Sequence, residues 1–247
     1  MEPLRKHTAL VTGGTRGIGR AIALRLAHAG ADVGIIGIRS DGGTVAGEIA
    51  AFGAKTCAVK GDVSVDAEVK RMFDTVRDAL GPIDILVNNA AVSDNRYSNT
   101  WDLSEEAWDR LCDVNLKGVF LCCRRAIPYM LEKGWGRIIN ISSTSGITGG
   151  TSGVHYAASK GGVIALSKAL SSELAPRGIT VNVVAPSKID TDMFRQVNPG
   201  DKREKTIRRI PVGRLGRPEE IAEAVAYFAC EEAGYTTGQV LVVSGGY

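Results

Sequence analysis

The chain has 247 residues, 44% of them hydrophobic and 23% charged, which supplies a substantial core and excludes a disordered segment. Its 30 basic and 27 acidic side chains leave a formal net charge of +3, too balanced for a nucleic-acid or anionic-membrane surface, so small soluble partners are expected. The odd set of five cysteines (Cys57, Cys112, Cys122, Cys123, Cys230) lacks CxxC or metal-finger spacing; no disulfide framework and no metal site is expected, and the thiols read as buried and reduced.

The opening MEPLRKHTALVTGG carries charge but no apolar segment with a cleavage site, and no stretch reaches about 18 consecutive apolar residues, so a cytoplasmic protein without a membrane partner is expected. From there, short β-branched runs alternate with helical patterns. Strands are predicted at 8–12, 32–38, 55–61, 83–90, 136–142, 179–186 and 239–245. Helices are predicted near 17–29, 44–52, 66–80, 104–132, 155–176 and 218–230. The strands are apolar throughout instead of alternating, which predicts a parallel sheet covered on both faces. The fold class is therefore α/β: a single-domain, doubly wound (Rossmann) fold over 1–247 with a seven-stranded parallel sheet. Gly30, Gly53, Gly81 before Pro82, and Gly178 stand where helices should end. Residues 187–217 form a long, polar and basic irregular stretch, expected as a lid over a substrate site.

After the first strand comes TGGTRGIG, with Gly13, Gly17 and Gly19 leading into a helix. Glycines allow a tight turn and close approach to a pyrophosphate, and the helix N-terminus offers free amides and a positive dipole end. The spacing is G-x3-G-x-G, not GxGxxG. At the end of the second strand, IIGIRSD places Arg39 and Ser40 where an acidic residue would take the ribose 2′-OH of NAD(H). A guanidinium suits a 2′-phosphate, and Arg16 adds a second charge, so NADP(H) is expected in preference to NAD(H), with NAD(H) as the alternative.

HYAASK sets Tyr156 and Lys160 four residues apart among small side chains, on one helix face. Tyrosine near its reference pKa of about 10 is a poor base at neutral pH, and a positive charge about 4 Å away contributes about 4 kcal/mol towards lowering it. Neither HExxH nor GxSxG occurs, so zinc and serine hydrolysis lack their residue sets.

The ordered set TGGTRGIG, GDVS (61–64), NNAA (88–91), DVNLKG (113–118), INISSTSG (139–146), YAASK (156–160) and APSKIDTDM (185–193) resembles the short-chain dehydrogenase/reductase family. The resemblance runs to GRPEEIA and TTGQVLVVSGG near the C-terminus, and among subgroups it is most like the bacterial 3-oxoacyl-(acyl-carrier-protein) reductases. It implies a catalytic set of Asn115, Ser143, Tyr156 and Lys160, with Ser143 rather than Ser142 as the serine. It also implies that the cofactor is held by Gly13, Thr15, Arg16, Gly17, Ile18 and Gly19 at the turn, by Asp62 and Val63 at the adenine, and by Asn88, Asn89 and Ala90 along the ribose strand. Tyr156, Lys160, Pro186, Ile189 and Thr191 would complete the nicotinamide end. Two positions depart from the pattern: Ala91 and Ser187 stand where the family commonly has glycine, and Ser187 would be strained if its φ were positive.

The implied reaction moves a hydride between the nicotinamide and a carbonyl carbon, with Ser143 polarising the oxygen, Tyr156 as acid/base, Lys160 tuning it and Asn115 holding a water in a proton path. The partner is a small carbonyl or alcohol substrate, an acyl-carrier-protein thioester being one candidate, for which Lys133, Arg177 and the 202–209 run are docking candidates. Sugar, steroid or other secondary-alcohol dehydrogenation is the alternative, and a non-catalytic cofactor-binding regulator the remote one. Met193, Phe194 and Val197 in the lid, with SDNRYSNTW (93–101), offer a mixed apolar and polar pocket. The long helices at 104–132 and 155–176 resemble those that pair subunits in family homotetramers.

Overall fold

A computed structural model describes residues 3–38, 42–93, 99–150, 152–197 and 200–247. Strands β1 (Thr8–Thr12), β2 (Asp32–Gly37), β3 (Thr56–Lys60), β4 (Ile85–Asn88), β5 (Gly136–Ile141), β6 (Ile179–Pro186) and β7 (Val240–Val243) form one parallel sheet in the order 3-2-1-4-5-6-7. The helices are α1 (Gly17–His28), α2 (Gly43–Ala50), α3 (Asp66–Leu80), α4 (Glu105–Cys112), α5 (Gly118–Lys133), α6 (Ser145–Thr148), α7 (Val154–Leu174), α8 (Asp192–Val197), α9 (Asp201–Arg208) and α10 (Pro218–Ala229). The seven-stranded doubly wound architecture is as expected.

The largely apolar runs are explained by burial: every residue of β1, β5 and β6 is buried, because each of these strands is covered on both sides. One core joins β1, β2 and β5 to α1, α2 and α10, including Ile22, Leu26, Ile35, Ile139 and Val225. The other joins the opposite face to α3, α5 and α7, with Phe73, Met72, Ile138 and Val163 at its centre. β7 departs from the expectation, since it is a sheet edge and leaves Leu241 and Val242 exposed. Cys122 and Cys123 are buried, whereas Cys57, Cys112 and Cys230 are only half-buried; all five are free thiols.

Two elements differ from the sequence expectation. The helix anticipated over 104–132 is divided by a π turn, Asp113–Lys117, between α4 and α5. Apolar periodicity continues across it, so hydrophobic spacing carries no mark of the extra residue. The stretch 187–217 is not irregular throughout, because α8 and α9 form within it; α9 presents no buried residue, so a helix there lacks the apolar stripe by which sequence finds one. No helix among the described residues is long and apolar enough to cross a membrane.

Candidate active site

Strand order reverses between β1 and β4, and the crevice outside their C-terminal ends is the usual ligand position in an open α/β sheet. The crevice is a cavity of about 480 Å³. Its first wall is the glycine turn. Gly13 and Gly17 have positive φ, and a Cβ on Gly19 would collide with the Gly13 carbonyl, so these positions admit only glycine without rearrangement. No side chain caps the first turn of α1, which leaves its amides directed at the crevice. Opposite, a Cβ on Gly17 would lie 3.6 Å from Thr191 Cγ2, which shows how narrow the gap between the walls is.

Thr12 and Asn89 hold this cradle to β4. Asn89 Nδ2 donates to the carbonyls of Thr12 and Gly13 at 3.0 and 3.2 Å, and Thr12 Oγ1 accepts from the amides of Asn89 and Ala90, both at 3.0 Å. Asn88 behaves differently from its neighbour: its Nδ2 donates to Asn140 Oδ1 at 2.8 Å inside the sheet, and it does not line the cavity, because successive strand residues face opposite sides. Its expected place beside the ribose is therefore corrected in favour of Asn89. Asp62 is fixed by the amide and hydroxyl of Ser64, at 2.8 and 2.7 Å, and lines the cavity with Val63.

The second wall comes from β5 and α7. Ser142 is turned inward, donating to the Lys160 carbonyl at 2.8 Å, while Ser143 lies on the cavity, its Oγ accepting from the Ser145 amide at 3.1 Å. Ser143 also hydrogen-bonds the Tyr156 hydroxyl. Lys160 follows one turn along α7, buried, with Nζ donating to the Ile141 carbonyl at 2.8 Å and lying 6.0 Å from the Tyr156 ring centroid. The close approach of α6 to α7 that seats this pair depends on Gly146, where a Cβ would lie 2.6 Å from the Lys160 carbonyl carbon.

Electrostatically, burial acts on both groups in the direction of neutrality. It pushes the Tyr156 phenol up, against the Ser143 hydrogen bond that works to lower it, and draws the Lys160 ammonium down to about 8. Desolvation is the larger influence on the phenol, and it opposes the lowering that Lys160 is expected to supply.

Asn115 is fully buried in the π turn. Its Oδ1 accepts from the Val92 amide at 2.8 Å, and Nδ2 donates to the Val92 carbonyl at 3.0 Å and to Ser159 Oγ at 3.4 Å. The side chain clamps the 91–93 loop to α7 and does not line the cavity.

Ala90, Pro186, Ile189 and Thr191 line the cavity with Thr15, Arg16 and Ile18. Arg39 and Ser40 lie outside the described residues, as does the Val197 side chain. Ser187 is not in the left-handed region, since Lys6 is the only non-glycine residue with positive φ among the described residues, and Ala91 likewise escapes strain. Met193 and Phe194 reach the cavity as anticipated, joined by Val92, Val114, Ser152 and Lys188, to none of which the sequence assigned a role. Of the docking candidates, Lys133 is occupied by an ion pair with Asp84 at 2.7 Å.

A family model described as enoyl-(acyl carrier protein) reductase matches residues 13–247. The chain is 42% identical over 241 residues to a 3-oxoacyl-(acyl-carrier-protein) reductase FabG of Staphylococcus aureus strain Mu50, covering 97% of each chain. It is 40% identical over 245 residues to the protein of that name from Aquifex aeolicus, covering 98% of each. A crystal structure of levodione reductase superposes with a TM-score of 0.93 at 31% identity, covering 98% of both chains. A glycine cradle at a sheet switch point, a YxxxK helix beside it and full-length likeness to these enzymes agree: the chain belongs to the short-chain dehydrogenase/reductase family, whose members use a nicotinamide cofactor to oxidise CH–OH groups or reduce carbonyls.

Proposed function

We propose that the protein reduces a ketone to a secondary alcohol, and runs the reverse reaction, with NADP(H) in preference to NAD(H). The observation that carries the reading is the convergence of Ser143, Tyr156 and Lys160 on the cavity that the glycine turn also lines. A bound reduced nicotinamide supplies the hydride. The chain's part is position and proton control. Gly13, Gly17 and Gly19 admit a pyrophosphate to the N-terminus of α1, with Thr15, Arg16, Ile18 and Thr191 around it; Asp62 and Val63 receive the adenine. Asn89, Ala90, Pro186 and Ile189 frame the ring end.

Ser143 donates to the substrate oxygen and Tyr156 gives it a proton. With Lys160 Nζ 6.0 Å from the Tyr156 ring centroid, the lysine charge favours the resulting phenolate. The Ser143 hydrogen bond adds to this. Both donors of the Asn115 amide are spent on protein groups, so its contribution to a proton path would run through the main chain of the π turn, where the regular helical bonding is interrupted.

In the sequence, Arg39 follows the second strand closely, where an acidic residue would take the ribose 2′-OH of NAD(H), and this supports the choice of NADP(H). The full-length likeness to 3-oxoacyl-(acyl-carrier-protein) reductases supports a 3-oxoacyl thioester as substrate. The stretch 187–217 closes over the substrate as a lid of one domain spanning the chain. A homotetramer is supported by the exposed Phe120 on α5 and by exposed Ala158, Ala165 and Ala169 along α7, small enough for close helix pairing. A screen of ketones, alcohols and acyl thioesters with NADPH and NADH, followed by nicotinamide absorbance, tests the reading; turnover of none with either nucleotide overturns it, and a clear preference for NADH overturns the cofactor choice.

A further inference from the structure

β6 runs on into Ser187 and Lys188, both lining the cavity. Of the other charged lining residues, Arg16 and Asp62 belong to the nucleotide end, Lys160 lies beneath Tyr156, and Asp192 begins α8. The two carboxylates nearest to Lys188 in the chain are already engaged: Asp190 with Arg195 at 3.0 Å and Arg203 at 3.3 Å, and Asp192 with Arg195 at 3.4 Å. Lys188 makes no side-chain hydrogen bond or ion pair among the described residues. Its half-buried ammonium rests 5.5 Å from the Tyr247 ring centroid, a cation–π contact that is weaker than a counter-ion. Burial draws this amine below its ordinary pKa, the expected result for a charge taken from water without a carboxylate partner. An anion brought to this point would recover part of that cost.

We infer that Lys188 is a specificity-determining residue that selects ketone or alcohol substrates carrying a carboxylate on the side of the carbonyl away from the nucleotide. The inference rests on the carbonyl-reducing reading and not on the thioester. A neutral acyl chain would leave the ammonium without a partner, whereas an oxo acid would pair with it while Ser143 and Tyr156 take the carbonyl oxygen.

The test compares acetoacetate, 4-oxopentanoate and 5-oxohexanoate with their methyl esters, alongside an acetoacetyl thioester, in wild type, Lys188→Arg and Lys188→Met. Because the readout is the acid-to-ester ratio of kcat/KM, a general loss of activity in a variant cancels. In wild type at least one acid exceeds its ester by about tenfold or more, the worth of about 1.4 kcal/mol from one charge pair. Lys188→Arg keeps that ratio, and Lys188→Met collapses it through the KM of the acid. Esters or the thioester preferred throughout in wild type, or an acid preference that survives in Lys188→Met, would overturn the inference while leaving the oxidoreductase intact. So would a loss falling equally on acid and ester through the nucleotide KM, which would assign Lys188 to the cofactor. No turnover of any compound with either nucleotide removes the underlying reading itself.

Discussion

Lys160 Nζ is held by the Ile141 carbonyl at 2.8 Å, within 6.0 Å of the centre of the Tyr156 ring but bonded away from it. The pair is linked through space by charge and not by a direct hydrogen bond, so the phenol alone carries the transferable proton. Tyr156→Phe removes the hydroxyl, and with it that proton and the Ser143 hydrogen bond, while keeping the ring. Turnover is expected to fall by about two to four orders of magnitude, the span of general acid–base catalysis, while nucleotide affinity measured by calorimetry stays close to wild type. Activity above a few per cent of wild type would contradict the assignment.

The titration of Lys160 sets the alkaline behaviour. In the free protein it is charged below about pH 8 and neutral above. Because kcat/KM reports groups of the free enzyme, ketone reduction should hold to about pH 8 and then fall about tenfold per unit. Stability moves the other way. The folded pKa lies below the ordinary 10.5, so between those values the unfolded chain binds more protons and folding gains as pH rises. Lys160→Met, which carries no such charge, should therefore be favoured over wild type at pH 7 by a margin that shrinks by about 3 kcal/mol towards pH 10.5. Denaturant unfolding at both ends of that range measures it, and a margin that grows with pH would count against a buried ammonium.

The doubly wound sheet was legible because burial on both faces writes itself into β1, β5 and β6 as predominantly apolar runs without the alternation of a one-sided strand. The glycine turn was legible for a similar reason: Gly13 and Gly19 occupy positions that a Cβ cannot, and composition records such exclusions. Asn115 was found by motif, yet its clamp on Val92 was not, since a main-chain partner in a loop leaves no residue type behind. The π turn around it was hidden because its residues keep helical spacing. Lys188 escaped notice for the opposite reason: a lysine in a polar stretch looks like any solvated charge until the sheet and the lid enclose it.

Asn115→Ala deprives the amide and carbonyl of Val92 of their partner in a half-buried setting. Two unsatisfied main-chain groups should cost about 2 to 4 kcal/mol in denaturant unfolding. Activity should fall through kcat, because the 91–93 loop lines the cavity. A variant as stable as wild type would show that water replaces the clamp freely.

Ser187 carries a buried hydroxyl with no hydrogen-bond partner among the described residues. Left unsatisfied, it costs the free protein about 1 kcal/mol or more, so Ser187→Ala should raise the melting temperature by about 2 to 4 °C in a chain of this size. Ser187 lines the cavity with Pro186, so a ligand settling there could bring the hydroxyl a partner. Nucleotide-loaded protein should then lose the gain, or reverse it. Thermal shifts with and without NADPH separate the two cases, and an equal gain in both would mean that the hydroxyl never meets the ligand.

Asp190 gathers the lid. It follows directly on Ile189, whose neighbours Lys188 and Asp190 bond the main chain of Gly216, and its carboxylate pairs with Arg195 on α8 and Arg203 on α9. Those arginines hold the carboxyl below its ordinary value, so the clamp is charged throughout the neutral range. The pairs are largely solvent-exposed, and each is worth about 0.2 to 1 kcal/mol, too little to govern global stability. Their effect should instead appear in how often the lid is closed. Asp190→Asn is expected to change the melting temperature by less than about 4 °C while raising the KM for the ketone more than that for the nucleotide. Raised salt should reproduce part of the effect in wild type and little of it in the variant, because screening weakens only a clamp that is still charged.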